Sequence, residues 1–195
     1  MKRQYGKITQ RIVALMLGVL LTLGSVAQAA DNTAVGDVAG DGLALGDSLT
    51  FTLTTSTPTL FKTAFLTSDF SALSDNDVLP VGTSVDFLIY LNNVADVDID
   101  DVSIQDTLLG FTYVPGTIRV LNTTTCIAAA CTLGEEQTIY DDARVTGPLS
   151  DTPNNDAASF AGTTVEVGNE LTAGNAQQNA VANTVLAVVF TATID

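Results

Sequence analysis

The sequence predicts an all-β protein, a two-layer antiparallel β-sandwich, and three observations carry that reading. Alternation of apolar and polar residues by two recurs along the chain, while almost no stretch beyond the N-terminus shows a helical period. Turn-forming residues punctuate the alternating runs, as at Pro80-Val81-Gly82, Pro115-Gly116 and Thr172-Ala173-Gly174. The 195 residues are 46% hydrophobic, enough for one core of ordinary size and too apolar for disorder throughout.

The first element is a leader. Lys2, Arg3, Lys7 and Arg11 precede an apolar run over residues 12–23, and Gly24, Ser25 and Ala27-Gln28-Ala29 follow. Basic, apolar and small-residue regions in this order describe a secretory signal peptide over residues 1–29, cleaved after Ala29. The apolar run is shorter than the roughly 20 residues that a membrane span requires. No cysteine borders the cleavage site, so lipid attachment there is not expected. The expected location is extracellular or at a cell surface, with no membrane span in the mature protein.

Residues 30–57 form an N-terminal extension. A Gly- and Asp-rich stretch, expected to be a flexible leader, opens it. Leu49, Phe51 and Leu53 then alternate with threonines ahead of Pro58. Their apolar face needs burial, either in a neighbour's sheet as a donated strand or at the edge of the chain's own sandwich.

Residues 58–195 hold the sandwich. Val85, Phe87, Ile89 and Leu91 make one apolar face of a strand, and Leu186, Val188, Phe190, Ala192 and Ile194 make another. Shorter strands are expected over residues 60–66, 102–106, 118–122, 138–140 and 164–167. Residues 147–162, with Pro148, Pro153, Asn154, Asn155 and Asp156, are expected to be a long surface loop.

Composition excludes several chemistries. The chain has no His and no Trp, which removes Ser-His-Asp triads, Cys-His dyads and ordinary zinc sites. Four of the seven basic residues lie in the leader and none of the 22 acids do, so the mature chain carries 3 minus 22, a formal charge of -19. Such a surface does not bind nucleic acid. Acid-acid hydrolysis needs no His, but nothing resembling an aromatic sugar cleft supports it, and no enzymatic activity is expected. Cys126 and Cys131 enclose four residues in an exported protein, the pattern of a short disulfide staple.

Several segments together resemble a known family. They are Lys62-Thr63, then Leu79-Pro80-Val81-Gly82-Thr83-Ser84-Val85-Asp86-Phe87, Asn92-Asn93, the run from Val102-Ser103-Ile104-Gln105-Asp106 to Thr107-Leu108, and Phe111-Thr112-Tyr113-Val114-Pro115-Gly116-Thr117. Over residues 60–195 the chain resembles domain of unknown function 11, an immunoglobulin-like repeat of bacterial and archaeal surface proteins. Leu109 stands where that family usually has Pro, and a longer insertion precedes the closing strand. The resemblance implies an immunoglobulin-like sandwich and a structural surface module without catalysis. The family usually occurs in tandem, so a solitary copy with a spare strand invites noncovalent assembly into a fibre, pilus or matrix, with itself or other surface proteins as partners. A monomeric module that binds glycan or calcium is the alternative.

Two further sites are candidates. Asp75, Asp77, Asp96, Asp98, Asp100 and Asp101 supply the oxygen ligands that calcium takes, but their spacing is not that of an EF-hand, and solvated acids are the simpler account. No other cofactor is expected. Lys62, alone in its type after the leader, stands on an apolar strand; with Asp106 as helper and Asn183 as acceptor it could form an intramolecular amide, against the simpler reading of an ordinary ion pair or a lysine snorkelling at a strand edge.

Overall fold

The computed structural model describes residues 29–35, 48–54, 59–124, 126 and 130–195, the first two stretches as backbone. Residues 1–28 of the leader and residues 36–47, where Asp37, Asp41 and Asp47 lie, are outside the described residues. The chain divides into two units, Met1–Thr57 and Pro58–Asp195.

In the first unit, β1 (Ala29–Val35) and β2 (Ser48–Thr54) form an antiparallel pair, with Asn32 opposite Phe51. Residues 31–35, expected within a flexible leader, are therefore strand, and the segment of Leu49, Phe51 and Leu53 is one arm of a two-stranded pair. Cleavage after Ala29 would leave residues 30–35 of β1 intact.

The second unit is built on two long central strands, β4 (Ser84–Asn93) and β10 (Thr184–Ile194), paired antiparallel with Phe87 opposite Phe190. On the far side of β4 lies β3 (Thr59–Leu66); on the far side of β10 lie both β6 (Phe111–Tyr113) and β7 (Arg119–Thr123), each paired directly with β10, β7 along Val185–Val189 and β6 along Ala192–Ile194. The second sheet has three strands in the order β5 (Ile104–Thr107), β9 (Thr164–Val167), β8 (Ala158–Ala161), all antiparallel.

The fold is thus all-β with two antiparallel sheets packed on one core. Val85, Phe87 and Ile89 of β4 and Leu186, Val188 and Phe190 of β10 meet Ile104, Ala158, Val165 and Val167 of the smaller sheet. The alternating patterns of the sequence mark this inner face correctly, and register holds it because a one-residue slip would turn every apolar side chain over.

The other face of β4 and β10 is also buried. Leu88, Tyr90, Val185, Ala187 and Val189 lie beneath a helix, α1 (Leu133–Arg144), which contributes Ile139, Tyr140 and Ala143. Residues 138–140, expected as strand, belong to this helix. Its start is a capping box: Thr132 Oγ1 accepts from Glu135 N–H, and Glu135 Oε2 accepts from Thr132 N–H at 2.7 Å. The disulfide Cys126–Cys131 forms, closing the connection from β7 immediately before that cap. The segment expected as one long loop over residues 147–162 ends in β8, whose Phe160 N–H bonds Asp151 O at 2.9 Å.

Candidate functional site

With three cations left against 22 acids beyond the leader, most carboxylates must find neutral donors. All three tyrosines of that region serve this way. Tyr90 Oη donates to Glu136 at 2.7 Å, Tyr140 Oη to Asp86 at 2.6 Å, and Tyr113 Oη to Asp151 at 2.5 Å. Burial, followed by the bond to the carboxylate, pushes Tyr113 up to about 12 and moves Tyr90 and Tyr140 higher still. Asp86, only 8% exposed, accepts a second bond from Thr191 Oγ1 at 2.5 Å. These hydroxyls fasten α1 and the 147–156 segment to the larger sheet.

Lys62 and Asp106 do come together. Lys62 Nζ lies 2.8 and 2.6 Å from the two carboxylate oxygens of Asp106 and 4.4 Å from the centroid of the Phe87 ring. Since β3 borders one sheet and β5 the other, this ion pair bridges the two sheets at one side of the sandwich. The proposed acceptor is elsewhere: Asn183 Nδ2 donates to Asp96 at 3.0 Å, before the start of β10, whereas Lys62 is level with Ile89 and hence with Val188. Four residues of strand, about 13 Å, separate Val188 from Thr184. The Lys62 side chain is 42% exposed, so it lacks the burial that the amide chemistry requires, and the ion pair is what the geometry supplies.

The six acids offered for calcium are exposed and do not converge. Asp77 accepts from Ser74 N–H at 2.8 Å and ties its own turn, and Asp98 accepts from Ala182 N–H at 2.8 Å and joins two segments distant in sequence. Among the described residues no group of three acid, His or Cys side chains is placed to hold a metal ion. Nor is any helix there long and apolar enough to cross a membrane.

Two features were not apparent from sequence. The first is an uncovered sheet edge. Ala64 O accepts from Leu73 N–H and Leu66 N–H donates to Ser71 O, so residues 71–73 cover the C-terminal half of the β3 edge. Alternation then turns the backbone groups of Leu60 and Lys62 outward as well, and they have no backbone partner among the described residues. Beside this strand, Ala64, Leu73, Leu79, Val85, Phe87 and Ile194 line an apolar cavity of about 370 Å³ that reaches the core.

The second is a cavity of mixed polar and apolar lining, also of about 370 Å³, on the helix-bearing side of the larger sheet. Arg119 and Arg144, two of the three cations beyond the leader, line it together with Asp86 and Phe70. Arg119 is anchored to Thr146 O through Nε and to Thr117 O through Nη1. Arg144 is anchored to Asp141 through Nε at 2.9 Å and lies 4.0 Å from the Phe70 ring. Phe70 holds a φ of 63°, a costly conformation for an aromatic residue, and is 39% exposed. The scarcity of cations was the one sequence signal that could have singled out Arg119 and Arg144.

Comparison with protein-family models, with curated proteins and with solved structures finds no match for the chain.

Proposed function

We propose that this protein is an exported structural subunit that assembles noncovalently at a cell surface, with the N-terminal strand pair of one copy adding to the β3 edge of another. The observation that carries this reading is the half-uncovered β3 edge, open at Leu60 and Lys62, with an apolar cavity farther along the strand at its covered end. Strand addition uses both parts of such a feature: main-chain bonds supply affinity and side-chain pockets supply register. A lysine on an edge ordinarily discourages pairing. Here Lys62 is turned onto Asp106, which neutralises its charge across the sandwich.

The donor side supports the same reading. A two-stranded hairpin is at best marginally stable in isolation, so β1 and β2 need a surface to pack on. The leader supplies the route out of the cell, and the resemblance to a family of surface repeats points to the same setting. The formal charge of -19 opposes contact between copies, so assembly should strengthen as added salt screens it.

Truncation tests the reading. The chain over residues 30–195 should form filaments or oligomers visible by negative-stain electron microscopy, the chain over residues 58–195 should not, and a synthetic peptide of residues 30–57 should bind the truncated form. An intact protein that is equally monomeric with and without residues 30–57 would overturn the proposal. The arginine-lined cavity favours a second reading, a secreted module that binds a surface glycan.

A further inference from the structure

Resting on that second reading of the cavity, we infer that the cavity between Arg119 and Arg144 binds a hexuronic acid, a six-carbon sugar acid, free or as a unit of an acidic polysaccharide. Each guanidinium is fixed through Nε, and neither Nη2 has a partner among the described residues. A guanidinium end with free donors recognises a planar carboxylate, and this cavity is lined by two of them. Two of the three cations beyond the leader meet in this lining beside Asp86, with Asp141 paired to Arg144 through Nε, on a chain that is otherwise strongly acidic.

The remaining lining matches the rest of such a ligand. Asp86 receives one hydrogen bond on each oxygen, from Tyr140 and Thr191, and each oxygen keeps capacity to accept from a sugar hydroxyl. Thr67 Oγ1 donates to Ser84 O at 3.0 Å, which leaves its oxygen as a further acceptor. Phe70 offers an exposed ring held in position by Gln137, whose Nε2 donates to Phe70 O at 3.0 Å, and by the Arg144 stack. A pyranose presents an apolar C–H face to such a ring. The volume lies in the range of small-molecule sites. An inorganic anion would use the arginines and leave Asp86, Thr67 and Phe70 without a role.

The test is calorimetric titration of the full mature chain with sodium galacturonate, galactose and sodium acetate at low ionic strength. Galacturonate should bind at least about tenfold more tightly than either the neutral sugar or acetate. Arg144→Gln should cost about tenfold in galacturonate affinity with little effect on galactose, and Arg144→Lys should recover part of the loss. Arg119→Gln, read with far-ultraviolet circular dichroism to confirm folding, should weaken binding in the same way. Equal binding of galactose would overturn the acid assignment, equal binding of acetate would overturn the sugar assignment, and no heat from galacturonate with a folded chain would overturn both. Galactose binding without acid preference would leave the glycan-module reading standing. Light scattering of Arg144→Gln should match the parent, because assembly is assigned to β3.

Discussion

Replacing Tyr140 by Phe isolates the bond that holds α1 to the sheet. The Tyr140 ring stacks on Phe65 with centroids 4.0 Å apart and planes 2° from parallel, and Phe preserves that contact. What is lost is one donor, at 2.6 Å, to a carboxylate that is 8% exposed. A hydrogen bond to a charged group contributes about 1.5–3 kcal/mol, and Thr191 still serves the other oxygen, so the expected loss is about 2 kcal/mol. For a chain of this size that corresponds to a fall of about 4–8 °C in Tm. Urea unfolding followed by circular dichroism measures it directly. Pairing the change with Asp86→Asn completes a double-mutant cycle, in which the two changes should couple by about 1 kcal/mol or more. A loss of about 0.5 kcal/mol or less, which is the ordinary range for a surface change, would refute the idea that hydroxyls replace the missing cations here.

Four other outcomes are expected. Phe190→Ala should cost about 3–5 kcal/mol in the same assay, because Phe190 is fully buried between the sheets. Gly168→Ala should cost about 2 kcal/mol or more, since Gly168 has a φ of 69° and an added Cβ would come within 2.0 Å of Val102 O. Cys126→Ser should cost about 2 kcal/mol with the fold retained, by circular dichroism, because the bridged loop is short. Stability should fall on alkaline titration: a tyrosine raised in the folded state stays protonated where the unfolded chain ionises, so its contribution is complete below about pH 10. For Tyr113 it is lost as pH rises toward about 12, and for Tyr90 and Tyr140 it persists further, so urea midpoints should decline from pH 10 upward.

The core was legible because burial between two sheets writes a period of two. Phe87, Ile89, Val188 and Phe190 all face inward as that pattern requires. The helix was not legible from periodicity, since only Ile139, Tyr140 and Ala143 of its residues are buried and charged residues surround them. Thr132 followed by Glu135 was the available signal, and it lies between a cysteine and a glycine in a stretch that reads as a turn. The same helix explains why Leu88 and Tyr90 are apolar on what should have been the outer face of a two-layer sandwich. At the site level, the sequence put Lys62 with Asp106 as nucleophile and helper of an amide, and the structure joins them as an ion pair; Asn183 bonds Asp96 instead, since strand register fixes position along β10 and composition does not. The arginine cavity gathers side chains scattered between Thr67 and Thr191, and no local pattern encodes such a convergence.

Size-exclusion chromatography with light scattering, on the chain over residues 30–195 across protein concentration and at two ionic strengths, tests self-assembly most directly. Mass should rise above that of one chain as concentration increases, more steeply at the higher salt where repulsion between acidic copies is screened. A single monomeric mass at every concentration and both ionic strengths would contradict the account.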